Sequence, residues 1–164
     1  MYLNAAKEAH EDAQMKRTMY FSFGSNLDQA QMGRRCPAAM VVGPATLEGY
    51  ELVFRGYSAR WGGSVATVRR CPGARVHGLV YTLTPADVGR LDRCEGAPVV
   101  YERVTRLVRC GDGRRRRMQT YVMLGRPSRM VTRPGPLYVA RLWCAYTRLG
   151  FDRAPLNRAI EATR

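Results

Sequence analysis

Between Met40 and Leu83 the sequence reads as four consecutive strands, with no helical segment between them, and this favours an α+β fold over a doubly wound one. MVVGPATLEGYELVFRGY divides into strands at about 40–47 and 50–57, joined at Glu48-Gly49. A Gly-rich link, Trp61-Gly62-Gly63, leads to strands over 64–70 and 75–83, with Cys71-Pro72-Gly73 between them at hairpin spacing. A strand over 19–23 precedes this block. A short helix follows that strand from Asp28, where Asp28 with Gln31 resembles a capping box and Cys36-Pro37 closes the segment.

The next element is sharply bounded. Thr84 is a helix N-cap, Pro85 suits the first helical position and Asp87 the first turn, while Gly96 suits the C′ position after Glu95. Residues 101–109 and 114–124 form a second hairpin about Cys110-Gly111-Asp112-Gly113. From Leu137, apolar residues at 139, 142, 143, 146 and 149 keep helical spacing, Gly150 ends the helix, and Asp152 caps a last one through Leu156 and Ile160. The expected architecture is α+β, with about six to seven strands in a mainly antiparallel sheet or barrel and helices around it. The 164 residues form a single domain over 18–164, preceded by a flexible leader over 1–17.

Charge and cysteine usage narrow the function classes. The net charge is +14, and with Lys7 and Lys16 the only lysines, 25 of the 27 basic residues are Arg. They are scattered except for Arg114 to Arg117, which fits a solvated hairpin end, so a dedicated nucleic-acid surface is disfavoured, leaving steering of acidic small molecules or a coding bias toward Arg over Lys. The five cysteines are odd in number and lack CxxC spacing, as expected of reduced thiols in a cytoplasmic protein. No segment has the apolar length of a membrane span, and the N-terminus lacks the apolar core of a secretory signal. With His10 in the leader and His77 among alternating strand residues, neither a zinc site nor a Ser-His-Asp triad is supplied, and no metal or cofactor is expected. Chemistry here falls to carboxylates, tyrosines or backbone groups.

Two features stand out. At FSFGSNL (residues 21–27) a strand runs into Gly24-Ser25-Asn26, which suits either a plain turn or a cradle of backbone N–H groups for an anion. Glu95 sits at the C-terminal end of a helix, where the helix dipole disfavours a negative charge. Either a nearby arginine such as Arg93 or Arg103 neutralises it, or the misplaced acid is functional. Cys94 beside it reads as a packed helix residue rather than a nucleophile.

FSFGSNL and LDRCEG (residues 91–96), with WGGSVATV (61–68), the Pro72-Gly73 turn leading into VHGLVY (76–81), and GPLY (135–138), together resemble the γ-glutamylcyclotransferase family in order and spacing over about residues 18–162. The resemblance implies a mixed β-barrel flanked by helices, with the pocket at its mouth. It implies conversion of a γ-glutamyl amino acid, peptide or amine to 5-oxoproline and a free amine. Glu95 then corresponds to the general acid/base. The loop of Phe21, Ser22, Phe23, Gly24, Ser25 and Asn26 grips the γ-glutamyl end, and Tyr138 lines the substrate site. The implied partner is a small-molecule γ-glutamyl substrate, with no membrane partner and a homodimer left open. The family commonly has Tyr at the position of Phe23 and Gln at that of Cys94, departures that bear on substrate preference. A non-catalytic protein that binds or sequesters a small anion on the same fold is the alternative.

Overall fold

A computed structural model describes residues 16–125 and 132–163. The stretch expected as four strands folds as one long hairpin. β2 (Met40–Ser58) and β3 (Gly63–Leu83) pair antiparallel from Ser58 opposite Gly63 at the turn to Met40 opposite Thr82. The two expected internal turns are irregularities in that ladder: Glu48 pairs with Arg75 and Tyr50 with Arg70, leaving Gly49 opposite the Cys71–Ala74 segment. Gly49 takes a φ of 76°, open to glycine at little cost, so the strand bends and twists there instead of reversing. Pro72, which has no N–H to donate, falls within the unpaired segment. The count of about six to seven strands thereby falls to five.

β1 (Thr18–Ser22) lies antiparallel to β3, with Tyr20 opposite Tyr81. β4 (Tyr101–Cys110) and β5 (Arg115–Met123) form the expected second hairpin, joined to β2 at Ala45 and Cys110. A parallel contact of Tyr20 with Gln119 closes the barrel in the order β1-β3-β2-β4-β5. The mixed, mainly antiparallel barrel flanked by helices is as expected. Arg115 and Arg116 pair with Glu48 and Asp112 at the exposed hairpin end, the fate anticipated for the four-Arg run.

Four helices flank the barrel: α1 (Gln29–Arg35), α2 (Pro85–Glu95), α3 (Pro136–Leu149) and α4 (Ala154–Glu161). Asp28 caps α1 by accepting from the N–H groups of Ala30 and Gln31, but Gln31 does not reciprocate and turns to the Ser25 hydroxyl instead. The buried face of α3 is Tyr138, Leu142, Ala145 and Tyr146. Trp143, expected on that stripe, is 44% exposed and donates its indole N–H to Asn157. Of the leader, residues 1–15, with His10, lie outside the described residues; Arg17 is anchored on Thr82. Among the described residues no helix is long and apolar enough to cross a membrane.

Candidate active site

Glu95 reaches its position because α2 starts and stops where local chemistry dictates. The Thr84 hydroxyl accepts from the Asp87 N–H (3.2 Å), and Pro85 occupies the first turn. At the other end Gly96 adopts the left-handed conformation (φ 64°) that terminates the helix, and its N–H returns to the Arg93 carbonyl. The last helical side chain is therefore Glu95, 16% exposed, in a cavity of about 530 Å³, a size suited to a small molecule.

One carboxylate oxygen is held firmly. Glu95 Oε1 accepts from Asn26 Nδ2 (2.9 Å) and from Arg35 Nη1 (3.3 Å). Oε2 has no hydrogen-bond donor among the described residues. Burial raises the Glu95 carboxyl above its ordinary range, outweighing the opposing effects of the Arg35 charge and the Asn26 hydrogen bond. The neutralising arginine is thus neither Arg93 nor Arg103; the latter lies 3.7 Å from Asp92.

The FSFGSNL stretch meets Glu95 through Asn26. Ser25–Leu27 form a single 3-10 turn after Gly24, and the leading N–H groups of such a turn have no acceptor within it. Asn26 is buried and its side chain is fully engaged. Nδ2 also donates to the Tyr20 hydroxyl (3.1 Å), while Oδ1 accepts from Arg35 (2.9 Å) and Gln31 (3.3 Å). Its carbonyl accepts from the Tyr81 hydroxyl (2.8 Å). The Asn26 side chain therefore orients Glu95, and the groups of this loop left for a ligand are backbone ones and the Ser25 O–H, whose oxygen accepts from Gln31.

Phe23, Gly24, Ser25 and Asn26 line the cavity with Glu95 and Tyr138, but Phe21 and Ser22 do not. Alternation along β1 turns Tyr20 toward the site and Phe21 into the core, where the Phe21 carbonyl accepts from Thr120. Ser22 is buried, and its hydroxyl has no hydrogen-bond partner among the described residues. Tyr138, delivered by the first turn of α3, accepts from the Ala66 N–H (3.1 Å) and packs on Trp61 (5.1 Å between ring centres). Tyr101 donates to the Ala66 carbonyl (2.9 Å), so both main-chain polar groups of Ala66 are held by tyrosine hydroxyls.

Sequence reasoning passed over Arg35 and the tyrosines at 20, 101 and 121. Arg35 had a readable signal: it lies four residues after Gln31 on α1, so both project from one face toward Asn26. Tyr101 and Tyr121 lie on strands remote from the loop in sequence, and Tyr20, though it directly precedes FSFGSNL, carried no such cue. Burial pushes the phenols of Tyr20, Tyr101, Tyr121 and Tyr138 up, so each is neutral at ordinary pH. Phe23 brings no hydroxyl, and the buried phenols of the cavity wall come from these four tyrosines.

Cys94, expected to be packed, is instead exposed at the cavity edge. His77 stacks on Phe151 (5.3 Å between ring centres) in a separate cleft of about 840 Å³ against α4, which shares only Gly56 with the lining of the Glu95 cavity. Among the described residues no group of three His, Cys, Asp or Glu side chains could hold a metal ion.

Residues 20–143 match the family model described as γ-glutamyl cyclotransferase, AIG2-like. The chain is 29% identical over 136 residues to the mouse protein named γ-glutamylcyclotransferase, covering 80% of this chain and 71% of that one. It is 33% identical over 82 residues to the bovine protein of the same name, covering 48% of this chain and 44% of that one. A solved structure named γ-glutamyl cyclotransferase superposes with a TM-score of 0.76 at 25% identity, over 90% of this chain and 86% of that one. With the barrel and its loop-and-helix cavity in place and most of the sequence matched, the chain belongs to the γ-glutamyl cyclotransferase, AIG2-like family.

Proposed function

We propose that this protein is a γ-glutamylcyclotransferase, releasing 5-oxoproline and an amine from a γ-glutamyl amino acid, peptide or amine, with Glu95 as general acid/base. The observation that carries the reading is the Glu95 carboxylate itself, with Oε1 tied to Asn26 and Arg35 and Oε2 without a donor. The substrate contains its own nucleophile, the α-amine, and its own electrophile, the γ-carbonyl. What the protein supplies is orientation, worth up to about 7–11 kcal/mol in well-oriented intramolecular reactions, and proton transfer.

The α-nitrogen begins as an ammonium and cannot attack. Glu95 takes one proton, the neutral amine adds to the γ-carbon, and a five-membered ring closes. The γ-carbon to nitrogen bond then breaks as Glu95 returns that proton to the departing nitrogen. Glu95, ionised again, takes the second proton from the ring nitrogen and passes it to the released amine, so the α-nitrogen loses two protons on becoming the ring N–H and the amide nitrogen gains two on leaving as an ammonium. A carboxyl raised by burial is a stronger base than an ordinary one, which suits this shuttle. Backbone N–H groups of Gly24, Ser25 and Asn26 grip the α-carboxylate, and Phe23 and Tyr138 wall the γ-glutamyl arm.

Incubation with a panel of γ-glutamyl amino acids, dipeptides and amines should yield 5-oxoproline by mass spectrometry. Tight binding of panel members with no product from any would leave the non-catalytic, anion-sequestering reading in its place.

Arg35 gives a pH test of the same assignment. Its cation favours ionisation of Glu95, so Arg35→Gln should raise the carboxyl further. A base must be ionised to act, and activity falls as pH drops through its pKa. The acid limb of kcat/KM should therefore move to higher pH in Arg35→Gln. An unmoved limb, or one displaced to lower pH, would remove Glu95 as the group that titrates.

A further inference from the structure

The cavity opens on one side into a recess of about 390 Å³ whose wall is almost entirely guanidinium. Arg34 and Arg35 reach it from the end of α1, Arg90 and Arg93 from α2, and Arg60 from the turn between β2 and β3; Gln31 and Cys94 complete the lining, and no carboxylate is among it. Arg35, Arg60, Arg93 and Cys94 line the recess and the Glu95 cavity alike, so the two are continuous. Two of the five cations are matched, Arg35 by Glu95 and Arg90 by the buried Asp87 (3.0 Å). Arg34, Arg60 and Arg93 have no carboxylate partner among the described residues. Arg60 lies over the face of Trp61 (5.3 Å), a posture that leaves the in-plane N–H donors of a guanidinium free.

We infer that this recess receives the leaving amine, and that it selects an amine bearing more than one negative charge, as an acidic amino acid does. The inference rests on the cyclotransferase reading, because the position of Glu95 sets which half of the substrate goes where. With the γ-glutamyl arm against the Gly24–Asn26 loop and the reacting nitrogens at Glu95, the remainder of the substrate extends outward past Cys94, between Arg60 and Arg93. Clustered cations repel one another when empty, and an anionic group relieves this while accepting hydrogen bonds from the guanidinium forks. Another part of the cavity lining is apolar and exposed, with Tyr57, Val99, Val100 and Leu124, and is the competing berth for an uncharged leaving group.

Three substrates decide between the sides: γ-glutamylglutamate, its near-isostere γ-glutamylglutamine, and γ-glutamylleucine. At low salt, kcat/KM for γ-glutamylglutamate should exceed that for γ-glutamylglutamine by about fivefold, the scale of a few half-exposed ion pairs, and the ratio should shrink as salt is added. Arg93→Gln and Arg60→Gln should each lower the ratio. Arg117→Gln removes the same charge at the far hairpin and should leave the ratio unchanged, which separates local recognition from whole-molecule steering. A ratio near one, an equal fall in Arg117→Gln, or a preference for γ-glutamylleucine over both would overturn the inference.

Failure of the cyclotransferase reading is distinguishable, since no member of the panel would then give 5-oxoproline. In that event the same pairwise ratio is read from dissociation constants measured by calorimetry on Glu95→Gln, where parity again overturns the assignment.

Discussion

Glu95→Gln should lower kcat for 5-oxoproline formation by about a thousandfold while leaving the dissociation constant for a γ-glutamyl ligand nearly unchanged, since a positioned general acid/base contributes roughly 10²–10⁴. Gln keeps the size of the side chain, and its Oε1 can still accept from Asn26 and Arg35 as Glu95 does. What is lost is the ability to take and return a proton. The same substitution carries a stability signature. In the folded state burial raises the Glu95 carboxyl above its ordinary 4.5, so the unfolded chain gives up that proton first. Below the ordinary value both states are protonated and the residue is neutral in its effect. As pH rises through the ordinary value to the raised one, the parent loses stability, and Gln does not share that loss. Thermal unfolding should therefore find Glu95→Gln at least as stable as the parent at neutral pH, with the difference vanishing in acid. Turnover at the parental rate would remove Glu95 from the mechanism. A variant that loses binding and melts early would make the loss of turnover a folding effect.

How much of this was legible in the sequence depended on how local the cause was. The α2 helix was readable because Thr84, Pro85 and Gly96 act within a few residues of themselves, and its ending at Glu95 follows from them. The partner of Glu95 was not readable: Arg93 and Arg103 are near in sequence, but Arg35 arrives from another helix, carried by the Asp28 cap and the packing of α1. The two extra strands arose where Glu48-Gly49 and Cys71-Pro72-Gly73 carry turn chemistry. In isolation each favours reversal, but facing each other across a long ladder they make a bend. Likewise FSFGSNL was legible as a strand running into a loop, while the turning of buried Tyr20 and not Phe21 toward the cavity depends on how the barrel closes around β1. Local chemistry set the punctuation of the chain, and the tertiary arrangement decided which neighbours met across it.

Gly135→Ala should destabilise the fold by about 3 kcal/mol, the upper range for overpacking, and lower Tm by about 6–12 °C for a chain of this size. Gly135 has a φ of −61° and a ψ of 142°, values any residue adopts, so alanine meets no conformational penalty there. Where room exists, Gly→Ala stabilises by about 0.4–1 kcal/mol by restricting the unfolded chain. The sign of the change therefore tests space alone. A Cβ on Gly135 would lie 1.7 Å from the Trp61 carbonyl oxygen and 2.9 Å from its carbon, and these are backbone atoms that cannot swing aside. Gly63 meets the same crowding from the other strand, 2.3 Å from the Arg133 carbonyl oxygen, and Ser64 bridges to Pro134. WGGSVATV and GPLY, separate as motifs, are thus two sides of one backbone contact. The contact also sets the site, since Trp61 on one side packs on Tyr138 from the other, and Tyr138 holds the Ala66 N–H. Prising the segments apart should therefore lower kcat/KM of the folded fraction as well as Tm. Gly62→Ala supplies the comparison: its added Cβ meets nothing within 4 Å, and only its positive φ of 67° is strained, at about 1–2 kcal/mol. A Tm for Gly135→Ala at or above the parent's would show that the two segments do not touch as described, and with that the placement of Tyr138 against the loop would fall.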